Sequence, residues 1–177
     1  MPDAAGESPR IEIDIRIDAP AWETVSARAA VAAVREAARA ALADLAPCPG
    51  SWELSVLLTD DAAIADLNRE WRGKDGPTNV LSFPGDEDEP VAGGPPAMLG
   101  DVIVAHGTLV READAAGIPF GDHLRHLVVH GVLHLLGYDH ENDADAEEME
   151  NRETEILAGL GVPDPYAGSD PVRRGVM

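Results

Sequence analysis

The segment HGVLHLLGYDH, residues 130–140, holds the residues best suited to chemistry in this chain. His130 and His134 are four apart, a spacing that on a helix places both imidazoles on one face about a turn apart. Gly137 lets the chain leave that helix through a left-handed turn, and Tyr138 and Asp139 then bring His140 back toward the same point. Three neutral nitrogens meeting there suit Zn2+ in tetrahedral geometry with the fourth position open, the arrangement of a catalytic rather than a structural site, and a water there is the expected nucleophile. Imidazole also suits nickel, copper or iron, so another divalent metal is compatible with the same residues. Half of the six histidines fall within these eleven positions, which favours a metal site over a merely polar helix face.

The three histidines and the glycine sit at the offsets of the metzincin metalloproteases, with one difference. Those proteases carry their general-base glutamate directly after the first histidine; this chain has Gly131. A peptidase needs a carboxylate beside the metal to take a proton and pass it to the leaving amine. Phosphodiester hydrolysis leans more on metal and cationic stabilisation of a charged transition state. Glycine in mid-helix costs about 1 kcal/mol relative to alanine. The expected reason for Gly131 is close approach of a bulky substrate to the metal, with neutral drift as the alternative. His126, one turn before His130, is read as a non-ligand that supports the site or touches substrate. His123 is read as solvated, and His106 as structural.

The elements that must position these groups follow from periodicity. IEIDIRID (11–18) alternates strictly and reads as a strand. An Ala-rich run with Val31, Val34, Ala38, Ala41 and Leu45 at helical spacing follows, ended by Pro47 and Pro49-Gly50. SWELSVLLT (51–59) is a second strand; Asp60 and Asp61 then start a short helix predicted to turn Ile64, Leu67 and Trp71 inward. TNVLSFP is β-prone up to Pro84, an acidic Pro- and Gly-rich loop spans about 84–96 and is expected to be mobile, and LGDVIVAH (99–106) is another buried strand. Helices are predicted over 108–116, over about 122–136 with Asp122 as N-cap and Gly137 as stop, and over about 143–160 with Met149, Ile156 and Leu160 packing inward. The fold class is a single α+β domain over 11–162, a four-stranded mixed sheet packed with about five helices, with a disordered N-terminus (1–10) and a disordered tail (163–177).

Composition narrows the setting. A chain of 177 residues, 45% hydrophobic, is enough for one domain with a real core. Its first residues show no positively charged region followed by an apolar stretch, and no apolar run nears membrane-spanning length, so a cytoplasmic protein with no membrane partner is expected. Cys48 is the single cysteine, which excludes an internal disulfide and a Cys-rich zinc finger. The formal charge of −20 repels polyanions at long range. The acids gather in 86–89 and 139–155, however, leaving WRGK (71–74) as a local positive patch.

HGVLHLLGYDH resembles the metal motif H-G-x-L-H-L-x-G-Y-D-H of the YbeY family, the bacterial endoribonucleases also called rRNA maturation factors. The resemblance extends to WRGKDGPTNVLSFP (71–84) and to the LGD that opens the next strand at 99–101, and so to most of residues 50–160. It implies a single-strand-specific, metal-dependent endoribonuclease in rRNA processing, including 3′-end maturation of small-subunit (16S) rRNA, and in ribosome quality control. Implied partners are single-stranded RNA, rRNA, the small ribosomal subunit and its assembly factors, including an Era-like GTPase, and no DNA. The family's zinc ligands carry over to His130, His134 and His140, with one Zn2+ per chain, and its functional arginine to Arg72, whose guanidinium can clamp a phosphate bidentately; a surface arginine capping its helix is the plainer alternative. Thr78, Asn79 and Ser82 are candidates to bond phosphate or sugar, or ordinary turn residues. Asp139 is a turn acid, an acceptor that orients a histidine, or the substitute base. Two other readings remain: a metallopeptidase or other metallohydrolase with an unrecognised base, and a noncatalytic ribosome assembly factor in which metal secures the fold.

Overall fold

In the computed structural model, which describes residues 10–167 apart from 24–26, 46–47 and 87, alternation decides the first strand. β1 (Arg10–Ile17) packs Ile11, Ile13, Ile15 and Ile17 against the main core. β2 (Ser51–Thr59) adds Trp52, Leu54, Val56 and Leu58 to the same core. The two pair in parallel, with Ile13 opposite Leu54 and Ile17 opposite Leu58. β4 (Ala97–Ala105) pairs in parallel with β2, and β3 (Val80–Pro84) runs antiparallel along its outer side. The sheet is therefore four-stranded and mixed, in the order β1-β2-β4-β3, within the single α+β domain that the sequence predicts.

Three helices build the main core on one face. α1 (Ala27–Ala41) buries a stripe of small residues, Ala30, Ala33, Val34, Ala37, Ala38 and Ala41, which lets its neighbour come close. That neighbour is α4 (Phe120–Leu135), with Leu124, Leu127, Val128, Val129, Val132 and Leu133 all buried. A helix apolar on nearly every side belongs in the interior. Burying each such side chain is worth about 1.5–3 kcal/mol, so the helix bearing His130 and His134 is fixed by packing. α5 (Asp143–Gly159) starts at Asn142, whose side chain accepts from the Asp145 N–H, and buries Met149, Ile156 and Leu157. On the opposite face α2 (Asp61–Arg72), capped by Asp60, covers a smaller cluster of Ile64, Leu81, Ile103 and Ala105. α3 (His106–Ala116) follows β4 directly.

Several expectations are corrected. Trp71 does not turn inward: it is 65% exposed and meets the Phe83 ring edge-on at 6.1 Å. Asn68 takes the buried place on that stripe, its Nδ2 donating to the Gly76 carbonyl at 3.0 Å, because the loop after α2 offers it an acceptor. Asp122 is not an N-cap: α4 begins earlier, after Pro119, and Asp122 lies in its first turn. Phe120 joins the helix because its ring packs against Trp22 and His106. His106 opens α3 rather than closing a strand, its ring 5.0 Å from that of Trp22. Past residue 162, Tyr166 reaches back to donate its hydroxyl to Glu153 on α5. Residues 1–9 and 168–177, where disorder is predicted, lie outside the described residues.

Candidate metal centre and cleft

α4 carries two of the three histidines and its C-terminal turn delivers the third. Tyr138 N–H bonds the Leu133 carbonyl at 3.0 Å across the turn, with Gly137 at φ +100°, a conformation that L side chains rarely adopt. His130 Nε2 and His134 Nε2 are 3.1 Å apart. One nitrogen from each of His130, His134 and His140 lies within 4.8 Å of the others. Tetrahedral zinc with bonds of about 2.0–2.1 Å asks for nitrogens about 3.3 Å apart, so the three side chains fit one ion with small adjustments.

Protonation favours the same use. Behind His130 stands Glu153, fully buried, with Oε1 2.5 Å from His130 Nδ1 and Oε2 3.0 Å from His126 Nε2. A carboxylate on Nδ1 keeps the proton there and leaves the Nε2 lone pair directed at the site. Burial pushes the Glu153 carboxyl up, but hydrogen bonds from His126 and His130 outweigh it and hold the pKa at about 2. Burial, and then the charges of His130 and His140, push His134 down to about 4. His134 is therefore the neutral, ligating form at neutral pH.

The histidines open into a cleft of about 350 Å³. Its other wall carries Arg72 from the end of α2, then Thr78, Asn79, Ser82 and Pro84 on the way into and along β3. Arg72 is exposed and Thr78 half-buried. Ser82 Oγ donates to the Gly131 carbonyl at 2.8 Å, tying β3 to the histidine helix. Asn79 Nδ2 donates to Glu112 at 3.0 Å while its Oδ1 accepts from the Val80 N–H, so this side chain holds β3 to α3. Among the described residues Asp139 is the one carboxylate lining the cleft, and one of its oxygens accepts from the His140 N–H at 2.7 Å. His126 stays outside the cleft, bonded to Glu153 and to the Tyr166 hydroxyl. His123 is not solvated as the sequence predicts: its side chain is 12% exposed and lies 2.9 Å from Glu112 Oε1, because α3 and α4 pack side by side and cover the imidazole while Glu112 stays partly open.

Gly131 has a reason other than room for substrate. A Cβ there would stand 2.7 Å from Val102 Cγ1 and 3.1 Å from Ser82 Oγ. The glycine lets α4 lie directly on β4 and β3, and a glutamate at this position would begin inside Val102. The expectation that it clears space for a phosphate is therefore replaced by helix-on-sheet packing.

Glu153 and Tyr166 escape the sequence reading. The signal for Glu153 is its spacing: Met149, Glu153 and Ile156 fall on one helical face, and the two apolar residues flanking it are buried. An acid on that stripe is a buried acid in need of a partner. Nothing in the sequence marks Tyr166, which lies 40 residues from His126.

Comparison with known proteins places the chain in a family. The family model described as Endoribonuclease YbeY matches residues 17–161. The chain is similar to an Endoribonuclease YbeY of Rhodopseudomonas palustris, 53% identical over 90% of this chain and 83% of that one. It is also similar to that of Paramagnetospirillum magneticum, 54% identical over 88% of this chain and 96% of the other. Among solved structures, the solution structure of TM1509 from Thermotoga maritima matches with a TM-score of 0.52 and 27% identity, over 90% of this chain and 97% of that one. With a cleft that joins three histidines to an arginine, and a family match spanning nearly all of the described fold, the chain belongs to the YbeY endoribonuclease family.

Proposed function

We propose that this chain is a metal-dependent endoribonuclease that cleaves single-stranded RNA in rRNA processing. The observation that carries the reading is the cleft itself: three imidazoles with ligand atoms within 4.8 Å on one wall and the Arg72 guanidinium on the other, in a member of an endoribonuclease family. His130, His134 and His140 would hold one divalent ion, zinc by preference for three imidazoles. Such an ion supplies Lewis-acid polarisation and a lowered water pKa.

The protein's own groups do the rest. Arg72 is placed to bind the scissile phosphate through two N–H donors and to stabilise charge that develops on its oxygens. Asp139 is the carboxylate in reach of a proton released in the cleft; its bond to the His140 N–H holds it in place. Thr78, half-buried in the cleft lining, is available to phosphate or sugar. Ser82 and Asn79 act as positioning residues, fixing β3 against α4 and α3. Glu153, steadied by His126, orients His130.

The finer assignment follows the motif resemblance: 3′-end maturation of small-subunit rRNA and ribosome quality control in the cytoplasm, with the small subunit and an Era-like GTPase as partners. A chain of charge −20 gains nothing from long-range attraction to RNA, which supports delivery by the ribosome. The test is incubation of metal-loaded protein with single-stranded RNA. Cleavage lost in His134→Ala and Arg72→Ala is the expected result; intact RNA with turnover of peptides would overturn the reading.

A further inference from the structure

The sheet face opposite the histidine helix carries a second hollow, of about 560 Å³, with Arg16, Leu57, Leu67, Trp71, Phe83 and Ile103 in its walls. Trp71 leans over it, 65% exposed, its ring edge-on to Phe83 at 6.1 Å and 63°. Indole this exposed is uncommon on a folded surface unless something covers it. The position is the telling part. Pro84 lines both this hollow and the histidine cleft, and Trp71 directly precedes Arg72, so the last turn of α2 aims an aromatic ring at one cavity and a guanidinium at the other.

We propose that the hollow is a nucleobase site: Trp71 and Phe83 receive an unpaired base one or two nucleotides from the scissile phosphate, and Arg16 takes an adjoining phosphate. The proposal rests on the endoribonuclease reading, because it makes the strand held in the cleft the occupant of the hollow. Three features point to RNA. The hollow adjoins the cleft across Pro84, which lines both. Its apolar floor of Leu57, Leu67 and Ile103 suits the flat face of a base, and aromatic stacking is the sequence-tolerant way to hold one. Its polar groups divide the nucleotide sensibly: Arg16, 74% exposed at the rim and 3.2 Å from Asp14, attracts a phosphate, whereas Asp101 in the wall repels phosphate and accepts from an exocyclic amine. A base stacked within a duplex has both faces covered, so such a site selects single strands.

The test compares wild type, Trp71→Phe and Trp71→Ala. One arm measures cleavage of a single-stranded oligoribonucleotide; a second measures Kd for all three proteins from the anisotropy of a dye-labelled 2′-O-methyl oligoribonucleotide of the same sequence; a third titrates the intrinsic fluorescence of wild type with that oligonucleotide. Trp22 and Trp52 are 2% and 8% exposed, so quenching by the oligonucleotide reports on Trp71. The expected result is quenching in wild type, a rise of about 5- to 100-fold in Kd and KM for Trp71→Ala with a much smaller change in kcat, and near-wild-type values for Trp71→Phe. The ring is exposed, so an unchanged melting temperature is expected and excludes unfolding as the cause. Normal cleavage with unchanged Kd in Trp71→Ala would overturn the base site while leaving the endoribonuclease standing, and would give the face to a protein partner. Trp71-dependent quenching without any RNA cleavage would support the base site while the catalytic reading failed. Absence of quenching in wild type would overturn the proposal outright.

Discussion

Glu153 Oε1 lies 2.5 Å from His130 Nδ1, which makes a carboxylate on α5 and an imidazole on α4 a single hydrogen-bonded unit behind the three-histidine cluster. The zincin-like helix thus has its carboxylate after all, placed behind a candidate ligand rather than beside it. Its work is to fix a tautomer, and its oxygens are occupied by His126, His130 and Tyr166.

Glu153→Gln keeps the shape of the side chain and removes the negative charge that holds the proton on Nδ1. Loss of such an outer partner lowers metal affinity by about 10- to 100-fold. A chelator competition with zinc measures this directly, and an affinity equal to wild type would show that His130 does not depend on Glu153.

Gly131→Ala tests the packing account of the glycine. The new methyl would meet Val102 Cγ1 at 2.7 Å; overpacking costs about 1–3 kcal/mol against a helix-propensity gain of about 1 kcal/mol. Urea unfolding is expected to show a net loss, recovered in part by Val102→Ala in the same chain, with a coupling of about 0.5–3 kcal/mol between the two sites. Strictly additive losses would remove Val102 as the obstacle.

Acid stability of the metal-free protein has two windows of the same sign. His134 is held neutral with its pKa down at about 4 from 6.5. Between those values the unfolded chain binds the extra proton, so stability is full above 6.5 and falls as the pH drops toward 4. Glu153 is held ionised with its pKa down at about 2 from 4.5. Its contribution is full above 4.5 and is lost as the pH falls through about 2. Urea midpoints against pH should lose their upper slope in His134→Gln and their lower slope in Glu153→Gln; unchanged slopes would contradict both assignments.

Arg72→Ala should lower kcat for RNA by about 10²–10³ if the guanidinium meets charge in the transition state. Arg72 is exposed at the cleft rim, so metal content and melting temperature should stay at wild-type values. Arg72→Lys keeps the charge but loses the bidentate fork and is expected to recover only part of the rate.

Much of this was legible in the sequence where period and spacing act locally. The Ile alternation of β1, the run of β2 and the i, i+4 histidines each specify an element or a shared face without help from distant residues. Trp71 was misread because helical spacing names a stripe but not how far the sheet beneath it extends. Gly131 was misread because its neighbour Val102 belongs to another element, and only the docked helix shows the missing space. His123 and Tyr166 depend on contacts with α3 and with Glu153 that no local pattern encodes. Glu153 had a signal in its apolar flanks, hidden by the general acidity of α5.

The proposed activity requires metal at the three histidines for RNA cleavage. Elemental content and cleavage of single-stranded RNA, measured on the same preparations of wild type and His134→Ala, test it most directly. The expected result is about one divalent ion per chain and cleavage in wild type, with both lost in the folded variant. Cleavage by His134→Ala at the wild-type rate would contradict it.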